Sequence, residues 1–227
     1  HTIKGHSRLV GAKKVDWHER LLQLESSVKS YETLQPVKSS GFGFKEHKEN
    51  VRLIAAAQEG EYPKPSDLFQ AVIIAAYNEA YDVIQPTIES VKNTTYNNKQ
   101  IILYLAYEER GGAEIEATVK RLQDEYKNVF YTFQIVKHPK DLPHEVVGKG
   151  PNITYAAYHL RDFCDGQAIP HRNVVVTTLD SDNRPYHSYF DYVAYEYIVQ
   201  PDRKHLSYQP VALYFGNIWD APAPMRV

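Results

Sequence analysis

Four apolar runs recur along the chain, at Ala71–Ala76, Gln100–Ala106, Val129–Val136 and Asn173–Thr178. Segments of helix length lie between them, about Ala80–Asn93, Ala113–Lys127 and Pro151–Phe163. A strand that is apolar without alternation is buried on both faces, and buried strands joined by helices run parallel through right-handed crossovers. The chain is therefore expected to be α/β, with a mostly parallel sheet and helices on both faces. A further helix over Tyr186–Val199 and a strand over Leu206–Phe215 extend the pattern. The many tyrosines of that helix are read as packing rather than as a platform for sugar rings.

Residues 1–65 differ from the rest. A helix is expected from about Asp16 to Leu34, where Asp16 and Glu19 resemble a capping box and Leu21, Leu24 and Val28 give one apolar stripe. Gly41, Gly43, Gly60, Pro63 and Pro65 then predict loops around a short apolar piece, Val51–Ala57. Two parts follow: an N-terminal helical and loop extension over 1–65 and an α/β domain over 66–227.

At 227 residues the chain is long enough for one α/β domain and an appendage. Its 26 basic and 28 acidic residues, with a net charge of -2, give no overall cationic field, so nucleic acid is not an expected partner. Cys164 has no second cysteine to pair with, so no internal disulfide requires an oxidising compartment and a cytoplasmic setting is expected. The longest apolar run, Ala71–Tyr77, is far short of the roughly 20 residues that span a bilayer.

In open α/β sheets, ligands bind beyond the carboxyl ends of the strands, where helix N-termini and loop amides converge. That rule selects Tyr77-Asn78-Glu79 after the first run and Tyr107-Glu108-Glu109-Arg110 after the second. It also selects Gly148-Lys149-Gly150-Pro151-Asn152 after the third and Asp180-Ser181-Asp182 after the fourth. Asp180 and Asp182 can point to the same side of an extended turn and offer hard oxygen ligands to Mg²⁺ or Mn²⁺, with a pyrophosphate filling further positions. Such an ion neutralises a diphosphate and stabilises it as a leaving group. The same pair also suits an Asx-type turn capping the next helix, and that alternative stays open.

Lys149 between two glycines can bring an ammonium to a phosphate or stand as an ordinary solvated lysine, while Asn152 can cap the following helix. Glu108 and Glu109 can accept from a base or ribose, or be solvated. His138 and His144 lie in the loop near Lys149. Gly41-Phe42-Gly43 lacks the third glycine of a dinucleotide fingerprint, and Gly148-Lys149-Gly150 lacks the Ser or Thr and the upstream glycine of a P-loop.

Taken in order and spacing, three stretches resemble glycosyltransferase family 2, enzymes of the GT-A fold: Val72-Ile73-Ile74-Ala75-Ala76-Tyr77-Asn78-Glu79, Lys149-Gly150-Pro151-Asn152 and Leu179-Asp180-Ser181-Asp182. Gln209-Pro210 with Asn217-Ile218-Trp219-Asp220 also looks like the segment such enzymes carry after the metal motif. The resemblance covers about residues 68–227 and leaves 1–65 outside it. Ala75 stands where the family usually has proline, and Tyr107-Glu108-Glu109 replaces its usual acidic pair.

The resemblance implies a GT-A-like, Rossmann-like sheet and metal-dependent, inverting transfer of a sugar from a UDP- or GDP-linked donor to a glycan or lipid-linked acceptor. Ala76, Tyr77, Asn78 and Glu79 would contact the nucleoside, with Glu108 preferred over Glu109 for the base. Lys149 and Asn152 would face the diphosphate or ribose, Asp182 would be the principal ligand of Mn²⁺ or Mg²⁺, and Asp180 would contact ribose or the metal. The general base of such enzymes lies well C-terminal of the metal motif, so it is expected beyond Val227, and the isolated chain is expected not to transfer sugar. Many relatives with this layout are membrane-anchored with the catalytic domain in the cytosol, and the resemblance implies the same for the full-length protein. Two other classes stay open: a noncatalytic nucleotide-binding or regulatory α/β module, and a nucleotidyltransferase, whose glycine-rich signature is not visible.

Overall fold

The computed structural model describes residues 10–38, 41–143, 145 and 148–209. Strands β1 (Phe69–Ala76), β2 (Ile101–Glu108), β3 (Thr132–His138) and β4 (Val174–Asp180) form one parallel sheet in the order β3-β2-β1-β4. The helices are α1 (Trp17–Glu25), α2 (Ser27–Leu34), α3 (Phe44–Ala56), α4 (Tyr81–Lys92), α5 (Gly112–Tyr126), α6 (Lys149–Gly166) and α7 (Tyr189–Val199). The chain is thus α/β, with a Rossmann-like parallel sheet flanked by helices.

Each strand lies within three residues of its expected bounds. Val129–Tyr131 turn before β3 begins at Thr132, and α6 starts two residues earlier than expected, at Lys149. Leu206–Gln209 carry no strand, and the rest of that expected strand lies outside the described residues.

The pleat divides the core. Val72, Ile74 and Ala76 of β1 share an apolar cluster with α4, α5 and α7, whereas Ala71 and Ile73 share one with Ala156, Leu160 and Cys164 of α6. With a helix layer over each face, β1 and β2 need apolar residues at all but one position each, Gln70 and Glu108, which is why their sequences read as long apolar runs. β4 alternates instead: Val175, Thr177 and Leu179 are buried, while Val176 is 52% exposed on the α6 side of the sheet, outside the strands β1, β2 and β3 that α6 packs against.

The N-terminal part departs from expectation in two ways. The chain breaks at Ser26 into α1 and α2, and the supposed stripe breaks with it, since Leu21 and Leu24 are buried but Val28 is 62% exposed. Only half the capping box forms: Asp16 accepts from the Glu19 amide at 2.9 Å, while the Glu19 carboxylate accepts from Gln23 one turn on. The second departure is α3, which occupies the region read as loops around Val51–Ala57. Its buried side chains are Phe44, His47 and Val51, a helical stripe in which a histidine holds an apolar position. Trp17, Leu21, Leu24, Phe44 and Val51 belong to the same apolar cluster as Val72 and Ile74.

His47 is satisfied at both nitrogens. Nε2 lies 2.6 Å from Gln23 Oε1 and Nδ1 lies 2.9 Å from the Tyr195 hydroxyl, which also accepts from Asn50. Those partners suit a neutral ring that donates through Nε2 and accepts at Nδ1. No helix among the described residues is long and apolar enough to cross a membrane.

Burial, aided by the nearby Arg20 charge, lowers the His47 imidazole from the usual 6.5 to about 4. The neutral form is therefore the folded one. Above pH 6.5 its contribution to stability is intact, and between pH 6.5 and about 4 the unfolded chain takes up a proton that the folded chain refuses. We expect stability to fall over that window by up to roughly 3 kcal/mol from this residue, at about 1.36 kcal/mol per unit. Urea denaturation at pH 7.5 and pH 4.5 is the measurement, and His47→Gln should lose markedly less between the two.

Candidate functional site

The strand order reverses between β1 and β4, the place where open α/β sheets bind ligands. Register sets Asp180, the last residue of β4, directly beside Ala75, one residue before the end of β1. The chain then turns, and the Asn183 amide donates back to the Asp180 carbonyl at 3.1 Å. Within that turn Ser181 is buried while Asp180 is half exposed and Asp182 exposed, so the two carboxylates reach solvent on either side of an inward residue. The next helix, α7, starts only at Tyr189 with Ser188 at its N-cap, so neither aspartate caps it.

Asp180 shares the Ala75 face of the sheet, which is the face that α6 covers. Lys149, the first residue of α6, accordingly meets it, and its ammonium pairs with Asp180 Oδ1. Burial lowers the Lys149 ammonium from the usual lysine value, while Asp182 and Glu79 pull it back up. Lys149, Asp180, Asp182 and Glu79 are therefore one electrostatic group.

The loop after β1 closes on itself, with Glu79 Oε2 accepting from the Tyr77 amide at 2.7 Å. Asn78 is exposed, and Ala76 is buried at the strand end. The Tyr77 ring is 41% exposed, and the Arg110 guanidinium stands 5.3 Å from its centre. Arg110 also pairs with Glu108, which is buried at the end of β2. Glu109 turns the other way, accepting from the Lys140 amide at 3.1 Å and lying 3.8 Å from Lys137. Of the two glutamates, Glu108 thus belongs to the Tyr77 group. Gly111 explains how the two loops come so close: a Cβ there would sit 1.9 Å from the Tyr77 carbonyl oxygen and 2.8 Å from Ile115 Cγ2.

Asn152 needs correction. It does not cap α6, because the helix begins at Lys149 after Gly148 and leaves Asn152 inside the first turn. It is buried, and its amide donates to the carbonyls of Ala76 and Ala106, each at 3.2 Å, while Oδ1 has no partner. Asn152 therefore ties the ends of β1 and β2 together from below. His138 is also buried, edge-on to Tyr155, with Nε2 2.9 Å from Glu145 Oε2 but out of line for a hydrogen bond. His144 lies outside the described residues.

Thr87 escaped the sequence reading. It is fully buried on α4, and its hydroxyl donates at 2.7 Å to the carbonyl of Ser181, the residue between the two aspartates. The signal was present: Ile84, Thr87, Ile88 and Val91 form a buried stripe at helical spacing, and the threonine is its one polar member.

Among the described residues, no group of three or more His, Cys, Asp or Glu side chains converges as a metal site. Two carboxylates on one turn nevertheless fit Mg²⁺ or Mn²⁺ where phosphate and water supply the other oxygens, the usual arrangement for Mg²⁺ on a nucleotide. A separate hollow of about 490 Å³, lined by Lys38, Gly41, Gly43, Phe44 and Glu46, lies at the start of α3 and contains none of these groups. Comparison with models of known protein families finds no match for this chain, and comparison with curated proteins finds none either.

Two substitutions probe the scaffold. Thr87→Val keeps the shape but leaves the Ser181 carbonyl without its buried donor, and should cost about 1–3 kcal/mol in urea denaturation, with Thr87→Ser recovering most of it. Gly111→Ala forces a methyl against the Tyr77 backbone and should cost about 1–3 kcal/mol, as overpacking does, read as a lowered melting temperature.

Proposed function

We propose that the strand-end site binds a nucleoside-diphosphate sugar with Mn²⁺ or Mg²⁺, and that this chain is the donor-binding half of an inverting glycosyltransferase. The observation that carries the reading is the meeting of Asp180, Asp182 and Lys149 at the reversal of strand order, beside the loop that follows β1. Asp180 and Asp182 would hold the ion, which when bound neutralises the diphosphate leaving group.

The chain's own groups supply the rest. Lys149 and the amides at the start of the 18-residue α6 present positive charge to the diphosphate. The exposed Tyr77 ring, backed by Arg110, offers a flat face to a nucleobase. Glu108, held by Arg110, stands beside it for the base edge, and Asn152 keeps the strand ends in place. UDP- and GDP-linked donors both suit these groups, and the acceptor is a glycan or a lipid-linked molecule. No residue is assigned as the general base, and donor binding is the activity proposed for residues 1–227. On this reading the domain works in the cytosol, where nucleotide sugars are made, as part of a membrane-anchored protein.

Calorimetry with UDP and GDP, each with Mn²⁺ and with chelator, tests it. Metal-dependent binding of at least one of the two is expected, and no binding of either would sink the reading. Asp182→Ala should weaken metal-dependent binding at least tenfold, about 1.4 kcal/mol, and leave the melting temperature of the metal-free protein unchanged or raised, since it removes one of two neighbouring negative charges.

A further inference from the structure

The ammonium of Lys149 rests on Asp180, the same carboxylate that is proposed above to hold a divalent ion. The two side chains are 47% and 50% exposed, so the pair is open to exchange rather than locked in the core. Gly148 and Gly150 on either side have open space around them, so neither neighbour walls the lysine in. Asp182 and Glu79 also attract the ammonium, which makes the group the cation that the carboxylates share in the structure.

Resting on the reading that Asp180 and Asp182 carry a metal-bound diphosphate, we infer that Lys149 is the site's built-in counter-ion, competing with the divalent metal for Asp180 until a diphosphate draws it away. An ammonium that turns its three donors toward a phosphate leaves fewer of them, and less of its charge, on Asp180. A diphosphate carries more charge than a single carboxylate and is the stronger partner, so its arrival frees Asp180 for the metal. Metal and diphosphate then help each other, each raising the affinity of the other by the same factor. The device holds metal off the turn when no donor is present and admits the two together.

The test uses the whole chain at one pH, so that lysine titration plays no part. Mn²⁺ alone, UDP alone and both together are titrated into wild type, Lys149→Met and Lys149→Arg, with free Mn²⁺ read by electron paramagnetic resonance. Lys149→Met should bind Mn²⁺ alone roughly two- to fivefold more tightly than wild type, the range an exposed ion pair allows. Lys149→Arg, which keeps the charge, should match wild type. The factor by which saturating UDP tightens Mn²⁺ should shrink in Lys149→Met. Mn²⁺ binding alone that is no tighter in Lys149→Met, while UDP still binds in a metal-dependent way, overturns the counter-ion and leaves the donor site standing. Absence of metal-dependent UDP binding in wild type overturns both.

Discussion

With β2 hydrogen-bonded along one edge and β4 along the other, β1 has no edge of its own, and seven of its eight residues are buried. A strand in that position must be covered on both faces, and the two apolar clusters of the molecule meet across it. Its last two residues are alanines, and that economy of volume shapes the site. Asn152 reaches the Ala76 carbonyl from α6, and Asp180 lies in register with Ala75. A larger side chain at Ala75, on the face that α6 covers, would stand between that helix and the strand ends, so the place of Lys149 depends on how β1 stops.

The helices of residues 1–65 bear on the same region through α7. Trp17 packs against the rings of Tyr192 and Tyr195 at 4.6 and 5.3 Å, and His47 and Asn50 hold the Tyr195 hydroxyl. Asp191, fully buried near the start of α7, takes His18 at 2.9 Å and the Thr95 hydroxyl as partners. The tyrosines of α7 are thus packing and anchoring groups, as expected of them, and Tyr197 donates to the Arg172 carbonyl just ahead of β4. Because α7 follows the aspartate turn in the chain, these contacts fix where the turn must exit.

β1 and β2 were legible because burial on both faces leaves a strand little choice of composition, and β4 because its exposed positions are still valine and threonine. The carboxyl-end rule then led from the strands to Tyr77, Glu108, Lys149 and Asp180 without any contact being known. What escaped the reading inside the core has one physical character: polar side chains that spend their hydrogen bonds on buried partners. His47 stands in the stripe of α3 where an apolar residue marks a helix, so the region of Phe44–Ala56 read as loops around a short apolar piece, Val51–Ala57. Thr87 did the same in α4, a helix already expected, where it is the one polar member of the buried stripe. Asn152 looked like a cap because its chemistry suits one, and only the start of α6 at Lys149 shows that its amide is spent on two strand ends. A period count records which residues are apolar and cannot record which polar ones have partners.

The aspartate turn is held by two contacts of opposite kind. Thr87 grips its backbone from within, and a buried hydrogen bond of that sort costs about 1–3 kcal/mol to leave unmade. Lys149 meets its side chain from outside, and an exposed ion pair is worth about 0–1 kcal/mol. The inequality separates position from charge. Cations can exchange on Asp180 for little free energy while the Ser181 carbonyl, and with it the direction of both carboxylates, stays where α4 puts it. A site that must hold a highly charged ligand and then release it needs that division, because a turn that moved with its counter-ion would lose its geometry each time the charge changed.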